Sequence, residues 1–308
     1  MSAARAVVFA YHDVGVRCLK ALISAEVDIP LVVTVPDDPH ETRWYASVAA
    51  TAADYGLTVI APAEAGTPEL EARVATLAPD FLFSFYYRSM LGTPLLRAAR
   101  RGALNMHGSL LPKFRGRAPV NWAILKGARE SGATLHYMVE RADAGDIVDQ
   151  QAVPILQDDN ARDVFAKVTV AAETVLTRSL PGLIAGNAPR KPQPIEPGQY
   201  FGRRRPEDGR IDWTRPALQI HNLVRAVAPP FPGAFAQVGA ERWQIHRTRL
   251  GAQRAPAPGL QLFGMDGACY AACGDGGALR LLEAADAHGP IDLARLAGTL
   301  AQRPLPLA

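Results

Sequence analysis

AVVFAY, residues 6–11, decides the fold: an unbroken apolar and aromatic run, rich in β-branched types, that reads as a strand buried on both faces. Asp13 follows at once and opens a helical pattern in which Val16, Leu19, Leu22 and Ile23 share one face. The same rhythm continues outward. IPLVVTV (29–35) is a second strand, RWYASVAATAADYG (43–56) a second helix closed by Gly56, and LTVIAP (57–62) a third strand. A helix around Leu70–Leu77 leads to FLFSFYY (81–87). Short apolar strands alternating with helices predict an α/β, Rossmann-like and mostly parallel sheet covered on both faces.

Further on, GALNMHG (102–108) is a strand that runs into a loop bearing Pro and Arg, before a helix near Asn121–Leu125. GATLHYMV (132–139) and GDIVDQQAVPI (145–155) are strands, and residues 160–186 form a long amphipathic helix ending at Gly186. Then the composition changes. Pro and Gly thicken, helical periodicity fades, and GAFAQVG (233–239), ERWQIHRTRL (241–250), PGLQLFG (258–264), ACYAACGD (268–275) and ALRLLEA (278–284) read as short strands between turns. The expected division is a catalytic domain over 1–188, a linker over 189–203, and a smaller β-barrel-like (OB-type) domain over 204–308.

Composition bounds the function. A chain of 308 residues with 48% hydrophobic and 20% charged residues is expected to be compact and to hold two domains. A net charge of +3 accommodates anionic small substrates and gives little support for nucleic-acid binding. No apolar run approaches the ~20 residues of a membrane span, and the N-terminus lacks the longer apolar region of a signal peptide. Three cysteines, an odd number in a long chain, argue against a disulfide framework and predict a cytoplasmic protein. Cys269 and Cys273 have no His or Cys partner nearby, so no metal site is expected. The first strand is followed by AYHDVG rather than Gly-x-Gly-x-x-Gly, and LLPKFRGRAP lacks the Gly-Lys-Ser/Thr ending of a phosphate loop. A dinucleotide enzyme and a P-loop NTPase are therefore disfavoured.

Asn105 and His107 lie at the end of a predicted strand, where ligands sit in open α/β sheets, and being two apart they point to the same side. Asp143, in a loop between two strands, is placed to reach the imidazole. Amide, imidazole and carboxylate suit attack of an amine on an acyl carbon. The imidazole takes the proton the amine sheds, the amide NH2 donates to the developing oxyanion, and the carboxylate orients the ring. A competing triad with Ser109 as nucleophile lacks the Gly-x-Ser-x-Gly elbow.

The order of motifs, Asn-x-His, Ser-Leu-Leu-Pro, Arg-Gly and then DAGDIV (143–148), resembles the folate-dependent formyltransferase family. Within it, VVFAYHDVG, FSFYYRSML, GSLLPKFRGRAPVNW, YFGRRRPEDG and HNLVRAVAPPFPGAF are similar to the formyltransferase domains of bifunctional enzymes that formylate UDP-4-amino-4-deoxy-L-arabinose on the route to modified lipid A. The resemblance implies 10-formyltetrahydrofolate as donor and a UDP-4-amino sugar as acceptor. It implies Asn105 as oxyanion stabiliser, His107 as proton-transferring group and Asp143 as its carboxylate partner. Folate contacts would fall at Ser89, Met90, Leu91, Arg117, Val139, Glu140, Arg141, Ala142 and Asp143, and sugar-nucleotide contacts at Tyr11, Arg204 and Arg225. A homo-oligomer or a separate decarboxylase is the implied protein partner. Pro229-Pro230-Phe231-Pro232-Gly233 departs from the Asp-Pro-Trp-Pro-Gly of that pattern, which bears on the acceptor more than on the chemistry. Methionyl-tRNA formyltransferase is the alternative; its members need a basic loop after the second strand, where this chain reads PDDPHETRWY (36–45).

Overall fold

A computed structural model describes residues 4–36, 43–194, 200–256 and 259–307. Most of the 36–45 loop and part of the 189–203 linker therefore lie outside the described residues. Contacts group the chain into two compact units, one of Met1–Pro119, Glu130–Val153 and Phe165–Phe201, the other of Val120–Arg129, Pro154–Val164 and Gly202–Ala308. Two short segments inside the first 188 residues thus group with the second unit.

In chain order the first half holds β1 (Arg5–Ala10), α1 (His12–Ser24), β2 (Asp28–Val33), α2 (Val48–Asp54), β3 (Val59–Ile60), α3 (Pro68–Leu77), β4 (Phe81–Phe85), α4 (Thr93–Ala98), β5 (Gly102–His107), β6 (Arg115–Gly116), α5 (Pro119–Leu125), β7 (Glu130–Tyr137), β8 (Ile147–Pro154) and α6 (Ala161–Ala185). Seven strands form one sheet in the order β3-β2-β1-β4-β5-β7-β8. β1 pairs in parallel with β2 and β4, β4 with β5, and β5 antiparallel to β7. Val7, Val8, Phe9 and Ala10 of β1 are fully buried, as a central strand with both faces covered requires.

Helix boundaries follow local chemistry. The second helix begins at Val48, not at Arg43, because Ser47 caps it with an Oγ that accepts the Ala50 N–H at 3.2 Å. α3 starts with Pro68 in its first turn after Thr67, whose Oγ1 accepts from Leu70 N. α4, which the sequence reading passed over, is only six residues long and also carries a Pro at its start. The chain runs from β1 outward to β2 and β3 and then returns to β4, so the direction of winding reverses between β1 and β4. Ligands bind at the carboxyl ends of strands beside such a reversal. Tyr11, Tyr86 and His107 lie there, at the ends of β1, β4 and β5.

The remainder holds β9 (Tyr200–Phe201), which pairs with β6, then α7 (Ala217–Val227), β10 (Ala234–Val238), β11 (Glu241–Arg254), β12 (Gln261–Met265), β13 (Ala268–Ala272), β14 (Gly277–Asp286), β15 (Gly289–Pro290), α8 (Leu293–Gln302) and β16 (Leu305–Pro306). The sheet order is β10-β11-β14-β13-β12-β16, antiparallel at each recorded pairing. A bridge between Val238 and Leu307 joins its two ends, which gives the expected barrel-like form. Helical structure does not fade after the linker: α7 and α8 both pack on this core, through Ile220, Val224 and Val227 and through Ala297 and Leu300. The thick Pro content around α7 masked its apolar i, i+4, i+7 spacing, since Pro216 immediately precedes the helix.

Candidate active site

β5 carries Asn105 and His107 side by side on one face, and the antiparallel register sets Asn105 directly opposite His136 on β7. Asn105 Nδ2 lies 3.1 Å from His136 Nε2. The other nitrogen of His136, Nδ1, is 2.9 Å from the Tyr137 carbonyl. A carbonyl only accepts, so Nδ1 carries the hydrogen and, on the neutral ring, Nε2 is left with a lone pair. That lone pair accepts from the Asn105 NH2 and fixes which end of the amide points inward. One amide hydrogen is engaged; the second remains for a ligand oxygen.

The same logic sets His107. Its Nε2 donates to the Phe114 carbonyl at 3.0 Å, so a neutral ring turns the Nδ1 lone pair towards Asp143 Oδ1, 3.6 Å away. A proton taken up at Nδ1 would stand between imidazole and carboxylate. Asp143 Oδ1 is also 3.7 Å from His136 Nε2, while Oδ2 accepts the Gly116 N–H at 2.9 Å. Burial works to raise the Asp143 carboxyl; the charge of His107, then His136, then the Gly116 N–H outweigh it and hold the carboxyl well below the usual carboxylate range. Asp143 has φ +52°, in the left-handed region favoured at tight turns. All four side chains are largely shielded: His107 is 6% exposed and His136 1%.

Sequence alone does not single out His136, although GATLHYMV reads as a strand. Only the antiparallel pairing with β5 aligns it with Asn105, and pairing is not written in either strand alone. Ser109 is fully buried, and its hydroxyl donates to the Lys113 carbonyl at 2.6 Å, turned away from a nucleophile's role.

The loops named for a folate flank one apolar cluster. Leu91 after β4 is buried in a group that includes Leu95 and Ala103, with Met138 at the end of β7 packed against it. Next to them Met90 (65%) and Val139 (46%) are exposed large apolar side chains, a pair open to a flat apolar ligand. Ser89, Glu140, Arg141 and Arg117 are exposed, Ala142 half-buried, and the Arg117 N–H donates to the Phe201 carbonyl.

The sugar-nucleotide candidates fare differently. Tyr11 is buried, bonded through its hydroxyl to Tyr45 and covered by the Arg88 guanidinium 4.5 Å from its ring. It lines a cleft of about 100 Å³ with Thr34, Tyr45 and Ser47. Ligand pockets commonly measure roughly 300–1,000 Å³, so that cleft is a small one. Arg204, in the second unit, stacks over Trp122 at 5.1 Å and donates to the Asp208 carbonyl. Arg225 is engaged within the second unit. It is 8% exposed, with Nε and Nη2 on Asn222 Oδ1 and Nη1 on the Leu156 and Asp159 carbonyls. Its guanidinium is committed to internal carbonyls and is not an open phosphate fork.

Cys269 and Cys273 are buried thiols donating to the Leu293 and Ala271 carbonyls, and burial pushes them up to about 11 and about 12. Among the described residues no group of three His, Cys, Asp or Glu could hold a metal ion. No helix among them is long and apolar enough to cross a membrane.

Comparison with known proteins agrees with this geometry. Residues 5–180 match the family model described as Formyl transferase, and residues 204–294 match its C-terminal domain. Among solved structures the fold is shared with an N-formyltransferase from Helicobacter canadensis in complex with folinic acid and dTDP-3-aminofucose (19% identity over 91% of this chain and 99% of that one, TM-score 0.72). It is shared with a sugar N-formyltransferase from Shewanella sp FDAARGOS_354 (20% identity, 82% and 99% covered, TM-score 0.62). HypX from Aquifex aeolicus in complex with tetrahydrofolic acid is also similar (20% identity, 98% and 48% covered, TM-score 0.63). With more than half of its length matched by the catalytic-domain model, the chain belongs to the formyl transferase family and is a formyltransferase.

Proposed function

We propose that this enzyme transfers the formyl group of 10-formyltetrahydrofolate to the 4-amine of a UDP-4-amino sugar, with UDP-4-amino-4-deoxy-L-arabinose as the favoured acceptor and lipid A modification as the setting. The observation that carries the chemistry is the convergence of Asn105, His107, His136 and Asp143 at the end of β5. Folate bound by related folds, and amino-sugar nucleotides bound by some of them, support the choice of donor and acceptor class. The motif likeness of residues 107–122 and 200–233 to the UDP-sugar enzymes supports the nucleotide. Exposed Met90 and Val139, beside buried Leu91, fit the pterin face of the donor, with the backbone of 139–143 alongside.

The donor supplies the formyl carbon. The free Nδ2 hydrogen of Asn105 meets the oxygen that gains charge as the neutral amine adds, a donor whose loss usually costs about 10²–10³ in rate. His107 takes up the proton released by the new C–N bond at Nδ1, where Asp143 stabilises it. The same proton goes to the departing folate nitrogen as its bond to the formyl carbon breaks, leaving a formamide and tetrahydrofolate. Burial of the ring keeps water from intercepting the exchange.

The decisive assay incubates the protein with 10-formyltetrahydrofolate and a panel of UDP-4-amino pentoses and hexoses, with charged initiator tRNA as the control acceptor. A mass gain of one formyl on a UDP-4-amino sugar is expected. Formylation of methionyl-tRNA alone would overturn the acceptor and leave the donor chemistry standing.

A further inference from the structure

The segment entering the linker is bound to the loop that carries Asp143. Lys191 and Ile147 exchange both backbone hydrogen bonds, at 2.8 and 2.9 Å. Arg190 lies 3.7 Å over the Tyr137 ring. Two residues beyond Lys191, Gln193 Nε2 donates to the Asp143 carbonyl at 3.2 Å and to the Gly145 carbonyl at 2.6 Å. Both acceptors are carbonyls, so the amide can sit only with its nitrogen inward, and both of its hydrogens are engaged. Gln193 Oε1 is buried with no partner among the described residues. The loop is tight: a Cβ on Gly145 would stand 1.9 Å from the Tyr137 carbonyl oxygen, and Asp143 itself holds φ +52°.

We propose that Gln193 is a positioning residue for formyl transfer, a clamp that holds the Asp143 turn so that one carboxylate oxygen faces both His107 and His136. The inference rests on the role given to Asp143 above. An Asp143 carboxylate already 3.6 and 3.7 Å from the two imidazoles has little slack, and a displacement of about 1 Å can cost of order 10²-fold.

The test uses Gln193→Ala, Gln193→Glu, which keeps the size and sets a carboxylate against two carbonyls, and Gln193→Asn as the amide-retaining control. With 10-formyltetrahydrofolate and UDP-4-amino-4-deoxy-L-arabinose, kcat is expected to fall about 10- to 100-fold in the Ala and Glu variants, with KM values within about 3-fold. Gln193→Ala added to Asp143→Asn should cost nothing further, since both act through one carboxylate. Hydrogen exchange of peptides spanning 138–147 should quicken in Gln193→Ala while the rest of the first unit is unchanged. Wild-type kcat in the Ala and Glu variants beside a crippled Asp143→Asn would overturn the inference alone. Full activity of Asp143→Asn would overturn the reading of the site and the inference with it. If no UDP-amino sugar is formylated by the wild type, the acceptor assignment fails, and unchanged exchange in the loop would separately sink the clamp.

Discussion

Two buried histidine sites, one in each unit, differ in hydrogen-bond saturation. In the second unit His221 sits between Thr248 Oγ1 at 2.9 Å and the Gln157 carbonyl at 3.0 Å, beside an Arg225 whose donors are held by Asn222 and two backbone carbonyls. In the first, His136 is engaged at both nitrogens, by the Tyr137 carbonyl and the Asn105 amide, whereas His107 gives Nε2 to the Phe114 carbonyl and turns Nδ1 to Asp143 at 3.6 Å, beyond a formed hydrogen bond. A saturated polar cluster holds chain segments together. Among the described residues His107 keeps one ring nitrogen without a formed hydrogen bond while both nitrogens of His221 are engaged, a difference that residue type alone does not show.

The largest expected effect comes from breaking the open cluster. Asn105→Ala and His107→Ala should each lower kcat by about 10²–10⁴ while the thermal midpoint moves only a few degrees, as followed by steady-state kinetics and circular dichroism. Retained turnover in both would place the chemistry elsewhere. The saturated cluster should respond in the opposite sense. Arg225→Ala removes a charged donor from the buried Asn222 amide oxygen and from two part-buried backbone carbonyls and is expected to cost about 2–3 kcal/mol in urea unfolding, with KM for the UDP-sugar unchanged in the protein that remains folded. A rise in that KM without loss of stability would restore Arg225 as a binding residue.

The smallest effect is graded by pH. Burial, and then the Arg88 charge, push His12 down to about 3; burial likewise lowers His221. Both are therefore neutral in the folded protein at pH values where the unfolded chain, with its ordinary histidine near 6.5, binds a proton. Stability is expected to be level above about pH 7 and to fall by roughly 1.4 kcal/mol per unit and per histidine below about 6.5. Asp143 acts in the same direction at lower pH: its contribution is whole above the ordinary carboxylate range and is lost only as the pH falls below about 4. His12→Asn, which tolerates the φ of +66° at that position, should reduce the slope between pH 6 and 5 in urea titrations. An undiminished slope would assign it to other groups.

Much of the first unit was legible because buried parallel strands announce themselves as apolar runs: AVVFAY, FLFSF and the strand ending in His107 lie where their composition put them. The short capped helix α4 and the helices between prolines were harder to read, since their boundaries rest on single residues. Asn105 and His107 share a face by strand alternation alone, and Asp143 is singled out by its loop between two strands and by the order of motifs.

Sequence by itself therefore determined the family, the α/β plan with its β-rich second part, and the three groups that suit formyl transfer, because these depend on local periodicity and motif order. Tertiary structure alone brought in His136, through antiparallel register, and Gln193, through a backbone bridge at Ile147. It also set Arg225 on Asn222, one turn away, and on the Leu156 and Asp159 carbonyls far back in the chain. Hydrogen-bond saturation depends on which distant carbonyls arrive beside a side chain, and no local pattern encodes that.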